Sequence, residues 1–134
     1  QTIIDCCDRD ACYRWSLFRR EPLMDWSTKR VTLLGDACHP TLPYLAQGAA
    51  MAVEDGAVLA RALAMTDDLA EGLNIYQRNR IERTAKIVRQ SSANRTLFHL
   101  NTEAEIRAAF SKRDEGADRN KWLYSYNPLT VDLV

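Results

Sequence analysis

Glycine is scarce and scattered. The 134 residues hold five, at positions 35, 48, 56, 72 and 116, and no two stand close enough to form a G-x-G-x-x-G turn. That turn wraps backbone N–H groups around a dinucleotide pyrophosphate, so this way of holding one is excluded here. A charge of one sign is also lacking. Lys and Arg number 18, Asp and Glu 18, and the formal charge is zero, which removes the global electrostatic case for nucleic acid or an anionic membrane as partner. No apolar run reaches the roughly eighteen residues of a membrane span. Cysteine forms no C-x-x-C pair. Cys6 and Cys7 are adjacent, Cys12 stands nearby, and Cys38 sits beside His39. That is neither a disulfide framework nor the spacing of a structural zinc site, and it fits reduced thiols in a cytoplasmic setting. The opening residues lack the basic-then-apolar order of a secretory signal. With Gln in first place, the expectation is a fragment or a processed chain.

What is present is organised around residues 30–64, RVTLLGDACHPTLPYLAQGAAMAVEDGAVLARALA. An apolar run, Val31–Leu34, predicts a short strand over Arg30–Leu34 buried on both faces, as in a parallel sheet. Gly35-Asp36 ends it, Pro40 and Pro43 turn the chain, and an alanine-rich helix starts at Gly48. A carboxylate at the end of a strand and a helix N-terminus beyond it make a ligand-binding arrangement in an open α/β sheet.

Gly35-Asp36-Ala37-Cys38-His39-Pro40, Pro43, Ala46-Gln47-Gly48-Ala49-Ala50 and Glu54-Asp55 together resemble the second flavin-binding motif of the single-component FAD-dependent aromatic hydroxylases. Salicylate hydroxylase-like and 6-hydroxynicotinate monooxygenase-like enzymes are of this style. The resemblance is strong over about 30–65 and looser from Trp15 to Tyr126. It implies the C-terminal part of a Rossmann-like FAD-binding domain, an α/β fragment with short strands followed mostly by helices. Residues 1–29 would end the substrate-side sheet region, 30–65 would be the flavin-binding strand-loop-helix, and 66–134 a C-terminal helical segment. The N-terminal FAD and substrate region of such enzymes, with its glycine turn, would then be the missing partner.

The resemblance also implies site residues. Asp36, after Gly35, would accept hydrogen bonds from the ribityl hydroxyls; read alone, it is better explained as an N-cap or loop Asp satisfied locally. Backbone N–H groups of Gly48, Ala49 and Ala50 would face the pyrimidine edge of the isoalloxazine, and Pro43 would line the ring. Many relatives of this style carry Gly where Ala46 stands and Asn where Ala50 stands. His39 would be a structural hydrogen-bonder, and Glu54 and Asp55 would support the loop. Adjacent helical residues point about 100° apart, so these two acids cannot flank one bond as a catalytic pair. No catalytic base can be named.

The rest of the chain predicts elements and a core. Tyr13, Trp15 and Leu17 alternate with Arg14, Ser16 and Phe18, a strand signal over 12–19 rich in aromatics. Asp25-Trp26-Ser27 reads as a turn whose aromatic packs back. Val53, Ala57, Ala60 and Ala64 form the expected packing stripe of the first long helix, and Gly56 within it suggests a close contact. A helix over 68–99, opened by an Asp68/Glu71 capping pair, carries Leu69, Leu73, Tyr76, Thr84, Ile87, Ser91, Asn94 and Phe98 on one face. Its basic residues, Arg78, Arg80, Arg83, Lys86, Arg89 and Arg95, are expected on a solvated face or against the missing domain. A further helix over 102–111 turns Ile106, Ala109 and Phe110 inward, 112–120 is a loop, and 121–128 docks on the body. Trp15, Trp26, Trp122, Tyr124 and Tyr126 are expected in the core.

The function implied is the FAD-binding portion of a monooxygenase that hydroxylates a phenol- or hydroxypyridine-type acid with NADH or NADPH and oxygen. Two alternatives remain. One is a truncated, non-catalytic helical interaction piece, which the absent glycine turn favours. The other is an epoxidase or halogenase of the same superfamily.

Overall fold

The computed structural model describes residues 2–111 and 120–134, and its backbone is mostly helical. Among the described residues, five helices follow in order: α1 (Thr2–Asp5), α2 (Gly48–Ala64), α3 (Leu69–Phe98), α4 (Glu103–Ser111) and α5 (Lys121–Tyr124). Single 3-10 turns occupy Arg9–Ala11, Gly35–Ala37 and Pro43–Leu45.

The body is the α2–α3 hairpin. The Asp68 carboxylate caps α3 by accepting from the Ala70 and Glu71 N–H groups, as the sequence predicts. Gly72 lets the two helices close, because a Cβ there would stand 3.0 Å from Leu63 Cδ2 and 3.4 Å from Leu63 Cα. Val58 and Ala62 of α2 meet Ile75 and Tyr76 of α3, and Trp26 and Cys38 from the preceding loops complete this core. Met51, Ile87 and Leu123 form a second cluster, which seats the C-terminal segment.

The expected strands over 12–19 and 30–34 are not formed. Among the described residues the β-pairing is one isolated antiparallel bridge, Ser27 with Thr32. A strand needs a neighbour for its N–H and C=O groups. The alternation of Tyr13, Trp15 and Leu17 encodes two faces and supplies no partner. Trp15 is 83% exposed, and Tyr13, Leu17, Phe18 and Val31 are exposed with it. Residues 26–34 instead form a narrow loop, closed by Thr28 N–H to Val31 C=O (2.7 Å) and Leu33 N–H to Trp26 C=O (3.2 Å). It lies on α3, where Gln77 Oε1 accepts from the Trp26 and Ser27 N–H groups and Tyr76 OH donates to Leu33 C=O. Trp26 is buried as expected.

The buried face of α2 also differs from the expected stripe. Val53 is 73% exposed, Ala60 and Ala64 are exposed, and a Cβ on Gly56 would meet nothing within 4 Å. The inner stripe is Met51, Glu54, Asp55, Val58 and Ala62. The charged pair turns inward because α3 offers arginines there. On α3 the expected face holds at Leu73, Tyr76, Thr84, Ile87 and Ser91, while Leu69 and Phe98 at its ends are exposed. In α4, Ile106 and Phe110 are exposed rather than inward and Ala109 is half-buried; the Thr102–Glu105 capping pair starts the helix. The predicted loop 112–120 lies outside the described residues except for Asn120.

The C-terminal segment docks as predicted through Leu123, with Trp122 and Tyr126 half-buried and Tyr124 exposed. Arginines hold its carbonyl groups. Arg61 donates to Pro128 and Val131, and Arg83 to Trp122 and Leu123. No helix among the described residues is long and apolar enough to cross a membrane.

Candidate functional site

Gly35 opens the site because its backbone is left-handed (φ +54°) and packed, with the position of a Cβ only 3.1 Å from Ala52 Cβ. A side chain would meet both penalties. Its N–H donates to Asp55 Oδ2 at 2.9 Å. The 3-10 turn that follows presents Asp36 outward, exposed. Arg20 holds the far side of this turn, donating from Nη2 to the carbonyls of Ala37 (2.7 Å) and Cys38 (3.1 Å).

The chain then passes beneath α3. Ser91 Oγ donates to Leu42 C=O and Asn94 Nδ2 to Tyr44 C=O. Ala46 is left-handed (φ 52°, ψ 35°) and closes the turn Pro43–Leu45. That conformation is the one glycine adopts at least cost.

Helix α2 starts at Gly48 with no side-chain cap from Gln47, and its first bond back to the cap is Met51 N–H to Gln47 C=O at 2.8 Å. The N–H groups of Gly48, Ala49 and Ala50 precede that bond and have no intrahelical acceptor. Ala49 and Ala50 are exposed. A Cβ on Gly48 would lie 3.7 Å from Thr41 Cγ2 and 4.0 Å from Asp36 Oδ1. The structure thus brings the exposed Asp36 beside the first turn of α2, a carboxylate near a positive helix end, with Gly35 buried just beneath them. Pro43 is exposed and lines an open pocket of about 550 Å³ with Tyr44, Ala46, Gln90, Asn94 and Phe98, which none of the other five line.

Behind this surface lies a buried polar cluster. Asp55 accepts at Oδ2 from Gly35 N–H, with His39 Nε2 2.6 Å from the same oxygen, and at Oδ1 from Arg80 Nε at 2.7 Å. Burial works to raise the Asp55 carboxyl. The His39 hydrogen bond, the Arg80 charge and the Gly35 N–H outweigh it and hold its pKa below the ordinary 3.8. Burial works to lower the Arg80 pKa, and the carboxylates of Asp55 and Glu54 reverse this and raise it. Burial, helped by the Asp55 charge, pushes the Cys38 thiol up to about 12. Cys38, His39 and Asp55 bring three potential ligand atoms within 4.8 Å of one another, a grouping that spacing along the chain conceals. The Asp55 oxygens are already taken by protein donors, and the neutral Cys38 thiol donates to Gly35 C=O. The geometry is that of a hydrogen-bonded brace.

Glu54 sits between two arginines, accepting from Arg80 Nη2 (2.8 Å) and from Arg83 Nε (2.8 Å) and Nη2 (2.6 Å). Arg80, expected on a solvated or domain-facing surface, is fully buried. Arg20, Arg80 and Arg83 are the site-supporting residues that sequence reasoning missed. The available signal was the acid pair in an otherwise alanine-rich helix. Two carboxylates on a packing face require cations, and Arg80 and Arg83 stand one turn apart on the next helix.

The chain is 43% identical over 119 residues to 3-hydroxybenzoate 6-hydroxylase of Polaromonas naphthalenivorans, covering 85% of this chain and 30% of the relative. It is 53% identical over 125 residues to 6-hydroxynicotinate 3-monooxygenase of Pseudomonas fluorescens, covering 90% of this chain and 28% of the relative. The chain therefore spans about a third or less of the curated relatives it matches. A crystal structure of a Klebsiella pneumoniae HpxO variant complexed with FAD superposes with a TM-score of 0.75 at 27% identity, over 91% of this chain and 32% of that one. The family described as FAD binding domain matches residues 15–91. With more than half of its length inside that match, the chain belongs to the FAD binding domain family.

Proposed function

We propose that this chain supplies the ribityl and ring side of an FAD site in a flavin-dependent monooxygenase acting on a small aromatic acid of phenol or hydroxypyridine type. NADH or NADPH would be the reductant and oxygen the co-substrate. The observation that carries this reading is the approach of Asp36 to the unpaired first turn of α2, inside the stretch matched by the family. The residues fit the cofactor. A carboxylate accepts from polyol hydroxyls, and three N–H groups at a helix N-terminus suit an electron-rich heterocycle edge.

In this reading Asp36 binds the ribityl chain. Gly35 keeps the backbone close to it. The N–H groups of Gly48, Ala49 and Ala50 orient the ring and stabilise negative charge at its pyrimidine edge. Pro43, with its fixed φ, holds the loop that borders the ring. Bound FAD would supply the redox and oxygen chemistry, and the protein supplies position and exclusion of water. Residues 30–65 act as the flavin-binding unit, 66–134 as its support, and 1–29 as the edge of the substrate side. The ADP half of the cofactor requires a glycine-rich turn that these 134 residues lack, so a further FAD- and substrate-binding region completes the site. The exposed Tyr13, Trp15, Phe18 and Val31 suit a surface covered by such a region. The hydroxylase and monooxygenase names of the relatives favour hydroxylation over epoxidation or halogenation. Cys6, Cys7 and Cys12 are free and exposed, which suits the reducing cytoplasm.

The test is a pair of titrations, FAD and FMN, followed by flavin fluorescence. Both are expected to bind this chain weakly and within about twofold of each other, because the ADP half finds no holder. Asp36→Ala is expected to weaken both by about tenfold, the loss of one charge-assisted hydrogen bond. FAD binding much tighter than FMN, or indifference to Asp36→Ala, would overturn the assignment.

A further inference from the structure

A continuous chain of charge-assisted hydrogen bonds joins the C-terminal segment to the turn that carries Asp36. Arg83 donates from Nη1 to Trp122 C=O (3.3 Å) and from Nη2 to Leu123 C=O (3.1 Å). The same guanidinium holds Glu54 through two donors. Glu54 Oε2 also accepts from Arg80, Arg80 Nε donates to Asp55, and Asp55 accepts from Gly35 N–H. Gly35 is the residue before Asp36. The Tyr126 ring closes the far end, lying 3.9 Å from the Arg83 guanidinium carbon and 5.4 Å from that of Arg80.

Each intermediate group in this chain is shared by two neighbours, so none can shift without moving the next. The guanidinium fork is planar and rigid, and the carboxylates have few free lone pairs left. The links are also dry. The Glu54 side chain is 12% exposed, the Arg83 side chain 9% and the Arg80 and Asp55 side chains 0%, which separates them from screened surface ion pairs of little weight. Tyr126 OH is buried with no hydrogen-bond partner, so Tyr126 acts here through its ring face.

We propose that Arg83 and Tyr126 are positioning residues for the Asp36 turn. Docking of the C-terminal aromatic segment, relayed through Glu54, Arg80 and Asp55, fixes the backbone at Gly35 and with it the approach of Asp36 to α2. The consequence for flavin affinity rests on the function proposed above; the relay itself is read on this chain's own amides.

The experiment is amide hydrogen exchange by NMR on the 134-residue chain, with Val58 and Tyr76 amides as the reference for global opening. Arg83→Gln and Tyr126→Ala are expected to speed exchange at Gly35 by about tenfold relative to that reference, the scale of coupling through a packed network. Tyr126→Phe keeps the ring and is expected to leave Gly35 unchanged. A purely structural role would speed Gly35, Val58 and Tyr76 together, and that result overturns the proposal, as does an unchanged Gly35 amide in Tyr126→Ala and Arg83→Gln. Should Arg83→Gln not fold, the Tyr126 pair decides alone. A chain that binds no flavin while Gly35 responds as described would defeat the flavin reading and leave the relay standing.

Discussion

Arg80 Nε donates to Asp55 Oδ1 across 2.7 Å with both side chains at zero solvent exposure. This contact ties α3 to α2 and, through the second Asp55 oxygen, to the Gly35 N–H. A buried pair of this kind is costly to halve, because the partner left behind is an uncompensated charge. Arg80→Met is expected to lower unfolding free energy by about 3–5 kcal/mol. Urea denaturation checks it, and a loss under about 1 kcal/mol would contradict the assigned geometry.

Acid should undo the same contact. The Asp55 pKa is held below the ordinary 3.8 in the folded chain. The native state thus binds its proton less readily than the unfolded state. The resulting stability is present above the unfolded value and is lost as pH falls through the folded one. Asp55→Asn lacks this contribution. The gap in urea midpoint between the parent chain and Asp55→Asn is expected to be widest near neutral pH and to narrow below about pH 4. A gap that stays constant from pH 7 to pH 3 would contradict it.

Two left-handed residues frame the loop, one glycine and one not. Gly35 has φ +54° and Ala46 φ 52°. Gly35→Ala combines a strained backbone with a Cβ pressed against Ala52 and should cost at least about 1–2 kcal/mol. Ala46→Gly relieves the same strain at an exposed position and should raise stability by about 1 kcal/mol. Thermal unfolding of the two variants reads both signs, and a loss of stability in Ala46→Gly would refute the strain assigned to that turn.

Helices were legible in the sequence because their signals are local. Asp68 caps α3 where the capping pair stands, and the face from Leu73 to Ser91 follows the helical period. The turn glycine at Gly35, the inward Trp26 and the docking of 121–128 were legible as well, but it is Leu123 that is buried there, while the expected Tyr124 is exposed. Strands were not, because pairing is a tertiary property. The pattern at Tyr13, Trp15 and Leu17 has no neighbour among the described residues and stays in solvent. The alanine stripe of α2 misled for a related reason. Alanine is at home on either face of a helix, and the decision lay with Glu54 and Asp55, whose arginine partners stand 25 to 29 residues away. The clustering of Gly35, Asp36 and Gly48 followed from the motif and its resemblance. The support from Arg20, Arg80 and Arg83 behind it did not: the buried acid pair called for cations, but nothing local says which arginines of the chain turn inward to meet it.

The central claim is that the Asp36 turn and the first turn of α2 together hold the flavin. The most direct measurement is a 15N–1H amide map of this chain titrated with FMN. The account predicts saturable shifts concentrated at Gly35, Asp36, Gly48, Ala49 and Ala50, abolished together by Asp36→Ala. Shifts confined instead to the pocket lined by Tyr44, Gln90 and Phe98, or no shift at Gly48–Ala50 under saturating flavin, would contradict it.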